Sequence, residues 1–152
     1  MSRWGALLLG VGLGGFVDGV LLHQILQWHH MLSHVETDVG LNTLADGLFH
    51  AFAWVCVLVG SSLLVAAWQR GSVAPNWSLH IGLLVMGWGF FNLVEGIVNH
   101  QLLGIHHVRD DLGGPLLWDF GFLAFALVQI GFGWWLRARG IRQCDRDSGV
   151  RV

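Results

Sequence analysis

Long apolar runs alternate with short polar ones along this chain, and the apolar runs have the length of membrane crossings. Four stretches, about Trp4 to Trp28, Leu44 to Trp68, Leu79 to Ile105 and Leu116 to Leu136, each reach the roughly 20 helical residues that a hydrocarbon core requires. The pattern predicts an all-α integral membrane protein with four transmembrane helices. The first stretch lacks the small-residue cleavage site of a signal peptide and resembles the third, so it reads as a span.

Composition agrees. Of 152 residues, 54% are hydrophobic and 12% charged, against roughly a quarter charged in a soluble domain. A mean hydropathy of +0.59 with 22 glycines and 9 tryptophans excludes a disordered chain. A net charge of -2 without a basic stripe excludes a nucleic-acid binder. Arginine placement sets the expected topology, because positive segments resist translocation. Arg3, Arg70 and the set Arg137, Arg139, Arg142, Arg146 and Arg151 fall on one side, and Arg109 alone on the other. Both termini are therefore expected in the cytoplasm of a bacterial inner-membrane protein, with the loops around His29 to Thr43 and His106 to Pro115 outside. A single domain over 1–139, followed by a mobile cytoplasmic tail over 140–152, is the expected organisation. Cys56 and Cys144, one mid-span and one in the tail, read as ordinary thiols.

The chain repeats itself. Val17 to His30 superimposes on Val94 to His107 at an offset of 77, with seven of fourteen positions identical and the acid retained as Asp18 or Glu95. Asp46, Ala51, Phe52 and Gly60 match Asp119, Ala124, Phe125 and Gly133 more weakly. This gives two tandem two-helix repeats, about 4–68 and 79–136, related by a pseudo-two-fold axis along the membrane normal. Glycines such as Gly10, Gly12, Gly87 and Gly89 permit close helix approach.

Nine histidines in so apolar a chain are the chemical anomaly. Six form repeat-related pairs: His23 with His100, His29 with His106, His30 with His107. At 100° per residue, His23, Gln27, His30 and His34 share one stripe of an extended first helix, with Asp18 and His29 on the next. Asp46 and His50, spaced i,i+4, share a face of the second span, and Asp119 opens the fourth. Every span thus brings an acid or histidine to the outer half of the bundle. Buried carboxylates at Asp18 and Glu95 oppose insertion by about 2.5 to 3.5 kcal/mol each and require compensation.

Several readings fit. Imidazole with carboxylate suits a first-row transition metal, with His23, His29, His30, His50, His100, His106, His107, Asp18, Asp46, Glu95 and Asp119 as candidate ligands. Copper leads, because the site faces outward, with iron and zinc as alternatives. Gln24, Gln101 and the non-ligating acids could orient imidazoles from behind. A b-type haem between axial His23 and His100 is a second reading. Ion or proton transport through Asp18 and Glu95 is a third, weakened by the apolar inner half. A purely structural bundle is the fourth; His80 is read that way, and His34, Glu36 and Asp38 as a solvated loop. Enzyme and metal-handling roles stay open. Expected partners are the lipid bilayer, a membrane redox or oxidase-assembly protein, and a second copy of the chain.

The segment from Asp18-Gly19 through His23-Gln24 to Trp28-His29-His30-Met31 resembles a family of small bacterial four-helix membrane proteins of unknown function, over nearly the whole chain to Arg139. The resemblance implies the four-span fold and no activity. The histidine-rich pattern with Asp46-x-x-x-His50 is also distantly similar to membrane copper-handling and copper-oxygenase subunits, although no complete histidine-box set is present.

Overall fold

The computed structural model describes residues 3–72 and 76–148. Among the described residues every regular element is helical. Helix α1 (Arg3–Val17) passes without a break into a π-helical segment, Asp18–Ile25. After a loop comes α2 (Val39–Gln69), and then α3 (Trp77–Glu95), which passes into a second π segment, Gly96–Leu103. A short turn of 3-10 helix, Asp110–Leu112, precedes α4 (Leu116–Ser148). Two starts are fixed by side-chain caps: Asp38 accepts from the Leu41 amide at 2.8 Å and Asn76 from the Leu79 amide at 3.0 Å.

The four membrane-length helices are Arg3–Ile25, Val39–Gln69, Trp77–Leu103 and Leu116–Arg146, of 23, 31, 27 and 31 residues. Each exceeds the roughly 20 residues needed to cross, so the longer ones span with tilt. They pack in the order α2, α1, α3, α4. Helix α1 lies against both α2 and α3, and among the described residues the only helix body packed on α4 is α3. The flanking helices are accordingly less enclosed, 22% buried over their apolar windows against 44% for α1 and α3. Leu48, Val55, Leu117 and Val128 point outward from those flanks, as lipid-facing positions do.

The two repeats meet where α1 crosses α3. A Cβ at Gly10 would run into the carbonyl of Leu84, and one at Gly87 into the carbonyl of Leu7. Both pairs are related by the 77-residue offset, so the pseudo-two-fold runs through this crossing. Only glycine lets the backbones approach this closely.

Helix α4 does not end near Arg139 but continues to Ser148. Gly140 is the only breaker in this stretch, and it sits in contact with Leu79 at the start of α3. Asn76 also donates to Gln143 at 3.0 Å, and Ile141 packs on the core of Ala6, Leu79 and Leu83. Packing thus holds the polar segment helical. Residues 149–152, including Arg151, lie outside the described residues. Cys56 and Cys144 are both free thiols.

Candidate metal centre

The centre lies at the end of the bundle remote from both termini, and the π segments build it. In an α-helix, residues five apart fall about 140° from each other around the axis. The i→i+5 ladder of a π-helix brings them toward one face. His23 Nε2 therefore stands 3.2 Å from Asp18 Oδ2, and His100 Nε2 stands 3.0 Å from Glu95 Oε1. Each π segment closes with a residue in the left-handed region, Gln27 at φ 51° and Gly104 at φ 56°. Matching backbone bonds lock both turns: Trp28 N to Leu22 O at 2.9 Å, and Ile105 N to Asn99 O at 3.1 Å.

The sharp turns reverse the chain, so His29 and His106 fold back over the helix ends. Their rings stack on each other, 4.7 Å apart and 4° from parallel. Crosswise bonds between the repeats fix them: His29 Nδ1 donates to the Val108 carbonyl and His106 Nδ1 to the Met31 carbonyl, each at 3.0 Å. A ring nitrogen facing a carbonyl oxygen carries the proton, which leaves Nε2 as the lone-pair nitrogen of His29. Burial, helped by the neighbouring His106 and His23, pushes the His29 pKa down to about 2, so this imidazole stays neutral. His23 lies 4.6 Å from His29 and His100 lies 4.8 Å from His106, edge to face. The result is a cluster of four imidazoles and two carboxylates, each residue at most 5% exposed.

Two overlapping donor groups can each hold a cation: His23, His29 and His106, and Glu95, His100 and His106, with ligand atoms within 4.8 Å of one another in each. Their polar atoms are largely unpaired within the protein. Both Asp18 oxygens, Glu95 Oε2 and the Nε2 atoms of His23, His29 and His100 are buried without a hydrogen-bond partner. The 3.2 Å approach of His23 to Asp18 is close enough for an ion pair yet misaligned for a hydrogen bond. Spacing near 3 Å without alignment is what two ligands of one ion adopt, since bonds of about 2.0 to 2.2 Å at tetrahedral or octahedral angles set ligand atoms roughly 3 Å apart. His106 meets an acceptor at each nitrogen, the Met31 carbonyl and, at 2.7 Å, Glu95 Oε1. A second proton or a cation must lie on that side.

A second ring of contacts holds the imidazoles from behind. Asp46 receives His23 Nδ1 at 2.9 Å, His30 Nδ1 at 2.8 Å, the Met31 amide at 2.8 Å and Gln24 at 3.4 Å. Asp119 repeats the arrangement with His107 Nδ1 at 2.6 Å, the Val108 amide at 3.0 Å and Gln101 at 3.5 Å, and faces His100 Nδ1 at 3.6 Å. Phe49 lies against the His23 ring, and Phe122 against the His100 ring.

The sequence-expected residues thus divide by position. Asp18, His23, His29, Glu95, His100 and His106 converge. Asp46 and Asp119 do not face the cluster interior as ligands; they grip the backs of imidazoles, with His30 and His107 on their outer side. His50 stands apart from Asp46 and packs on Phe16, Phe49 and Gly19, and its match in the second repeat is Leu123. The expected stripe of His23, Gln27, His30 and His34 does not form, because the helix ends at Ile25 and Gln27 turns the chain. His34 instead pairs with Asp110 at 3.2 Å in the covering loops. Arg109 lies over Trp28 and Trp118 and pairs with Asp111. Met31 and Val108, not among the site residues expected from the sequence, each supply an amide to one carboxylate and a carbonyl to the opposite repeat's histidine. Their only signal was the 77-residue spacing immediately after each His-His pair.

The family model described as "Predicted membrane protein (DUF2243)" matches residues 5–140. No curated protein and no solved structure matches the chain.

Proposed function

From the premise that the chain belongs to that DUF2243 family of membrane proteins, we propose that it is a membrane metalloprotein whose centre is held by His23, His29, His100 and His106 with Asp18 and Glu95. One observation carries the reading: buried Nε2 and carboxylate atoms converge without partners while His23, His29 and His106 are anchored through Nδ1. Anchoring at one nitrogen to orient the other is the outer-shell arrangement of metal-ligating histidine. Leaving several such groups buried and unpaired costs roughly 1 to 3 kcal/mol each, which a bound cation relieves.

The donor set is nitrogen-rich with two oxygens, which suits a first-row transition metal better than calcium or magnesium. Copper heads the candidates, followed by iron and zinc. Arginine placement supports a centre near the extracytoplasmic face of a bacterial inner membrane, with both termini cytoplasmic. There the metal supplies redox chemistry, or is stored and passed to a membrane partner such as an oxidase under assembly. The rings of His29 and His106 occupy the space between His23 and His100, which favours an ion over a haem macrocycle.

Elemental analysis with a visible spectrum, on protein purified from membranes, tests this. Near-stoichiometric copper, iron or zinc without a Soret band is expected, falling strongly in His23→Ala and His100→Ala but not in His80→Ala. Protein that arrives metal-free and takes up none of the three metals on reconstitution would falsify the reading; a Soret band would replace it with haem.

A further inference from the structure

Helix α4 runs well past the length that a membrane requires. From Leu116 to Trp135 it rises about 29 Å at 1.5 Å per residue, one hydrocarbon thickness, and it then continues to Ser148. The internal repeat does not account for this extension. At the offset that aligns Asp46 with Asp119, Arg139 and Arg142 fall on Ala66 and Gln69, where α2 ends. The extension has two sides. At 100° per residue, Val128, Phe132, Trp135, Arg139, Arg142 and Arg146 fall within a stripe about 80° wide. Its three apolar members are exposed on the flank of the bundle and so face lipid, and its three arginines are exposed as well. Roughly opposite lie Gly133, Arg137 and Gly140, whose backbones approach α3 at Gly82 and Leu79. Packing on α3 therefore fixes the direction in which the stripe points.

Depth assigns the arginines. Trp135 closes the apolar stretch, as interfacial tryptophan does. Arg139 lies about 6 Å beyond it along the axis, Arg142 about 10 Å and Arg146 about 16 Å. The headgroup layer is about 5 to 8 Å deep on each side of a bilayer, so Arg139 stands within it, the long side chain of Arg142 reaches back into it, and Arg146 overlooks it. The Arg139 guanidinium already leans toward the apolar stretch, 5.9 Å over the Trp135 ring. The ion pairs seen among the described residues involve none of the three. Asp145 is the acid beside them, in a recess of about 270 Å³ that Arg142 and Arg146 also line, and three arginines against one carboxylate leave the stripe positive. A cationic row that prolongs a lipid-facing apolar stripe is complementary to a molecule that is itself apolar below and anionic above. A soluble acidic protein or a nucleic acid would meet the arginines and leave the apolar half of the stripe unused.

We propose that this face of α4 binds anionic phospholipid from the leaflet beside the chain termini. The acyl chains lie along Val128, Phe132 and Trp135, the phosphate is held by Arg139 and Arg142, and Arg146 adds attraction from just above the headgroups. Each arginine near an anionic surface contributes roughly fivefold to affinity, so the three together distinguish an anionic from a zwitterionic lipid. The surface is at the opposite end of the bundle from the histidine cluster and does not depend on the metal reading.

Native mass spectrometry of the full chain in detergent, titrated with dioleoyl phosphatidylglycerol or dioleoyl phosphatidylcholine, reads the two affinities. The anionic lipid is expected to bind at least about tenfold more tightly than the zwitterionic one. Arg139→Gln, Arg142→Gln and Arg146→Gln together should abolish that preference and leave phosphatidylcholine binding unchanged, whereas the corresponding Lys substitutions should keep it. Arg3 and Arg70 belong to the far side of the bundle, beyond α3, so Arg3→Gln with Arg70→Gln should leave the preference within about twofold. Excess inorganic phosphate should not displace the lipid, because it cannot use the apolar half of the stripe. Equal affinity for the two lipids, a preference that survives the Gln substitutions or is lost in the Lys ones, or an equal loss in the Arg3 and Arg70 variant would overturn the proposal. Displacement by phosphate would overturn it too, in favour of a soluble anion.

Discussion

Asp46 and Asp119 hold the imidazoles of the proposed centre from behind rather than facing into it. Each binds imidazoles and the backbone amide of the residue after the His-His pair, so it sets ring orientation and loop position together. Removing such a partner characteristically weakens metal binding 10- to 100-fold. Asp46→Asn and Asp119→Asn should each do so by about that factor in metal competition titrations, and His50→Ala should leave affinity at the wild-type level. Equal losses in all three would contradict the division between them. The identities of the converging residues were legible in the sequence, because acids, histidines and glutamine kept their register across the repeat. Their roles were not. An i,i+4 spacing places Asp46 and His50 on one helix face but cannot say which neighbour fills the space beside it, and Gly19 and Phe16 take that space for His50.

At the level of the element, the decisive feature is the switch from α to π geometry at Asp18 and again at Gly96. Periodicity of 3.6 residues was the right expectation for the second and fourth spans and for the bodies of the first and third, and the wrong one for the last turns of the first and third. Each of these turns carries one glycine, Gly19 or Gly96, but it lies at the start of the π segment and the helix runs on through it, so the switch is held by the packed end, where two turn-locking bonds and the crossed histidine contacts over-determine it. Gln27 occupies backbone that favours glycine, whereas its counterpart Gly104 fits it without strain. Gln27→Gly should therefore raise the unfolding temperature in detergent and Gly104→Gln lower it, by the equivalent of about 1 kcal/mol each. Opposite signs would show that the turn is set by side-chain contacts of Gln27 instead.

For the molecule as a whole, four spans and a tandem repeat followed directly from hydropathy and self-similarity, and the family match over 5–140 agrees with the membrane assignment. The order of the helices did not follow, since glycines occur on every span and only the structure shows which of them meet. The α1/α3 crossing joins the two repeats through Gly10 and Gly87, so Gly10→Val and Gly87→Val should each separate the repeats. Both should lose metal and thermal stability together, and retention of metal in either would mean that the centre does not depend on this crossing. The proposed centre depends above all on the inward imidazoles. X-ray absorption at the metal edge of the purified, metal-loaded chain reads them directly. The predicted spectrum has a nitrogen and oxygen shell at about 2.0 to 2.2 Å with the outer-shell scattering of several imidazoles. A sulfur shell, or oxygen scatterers without imidazole, would contradict it.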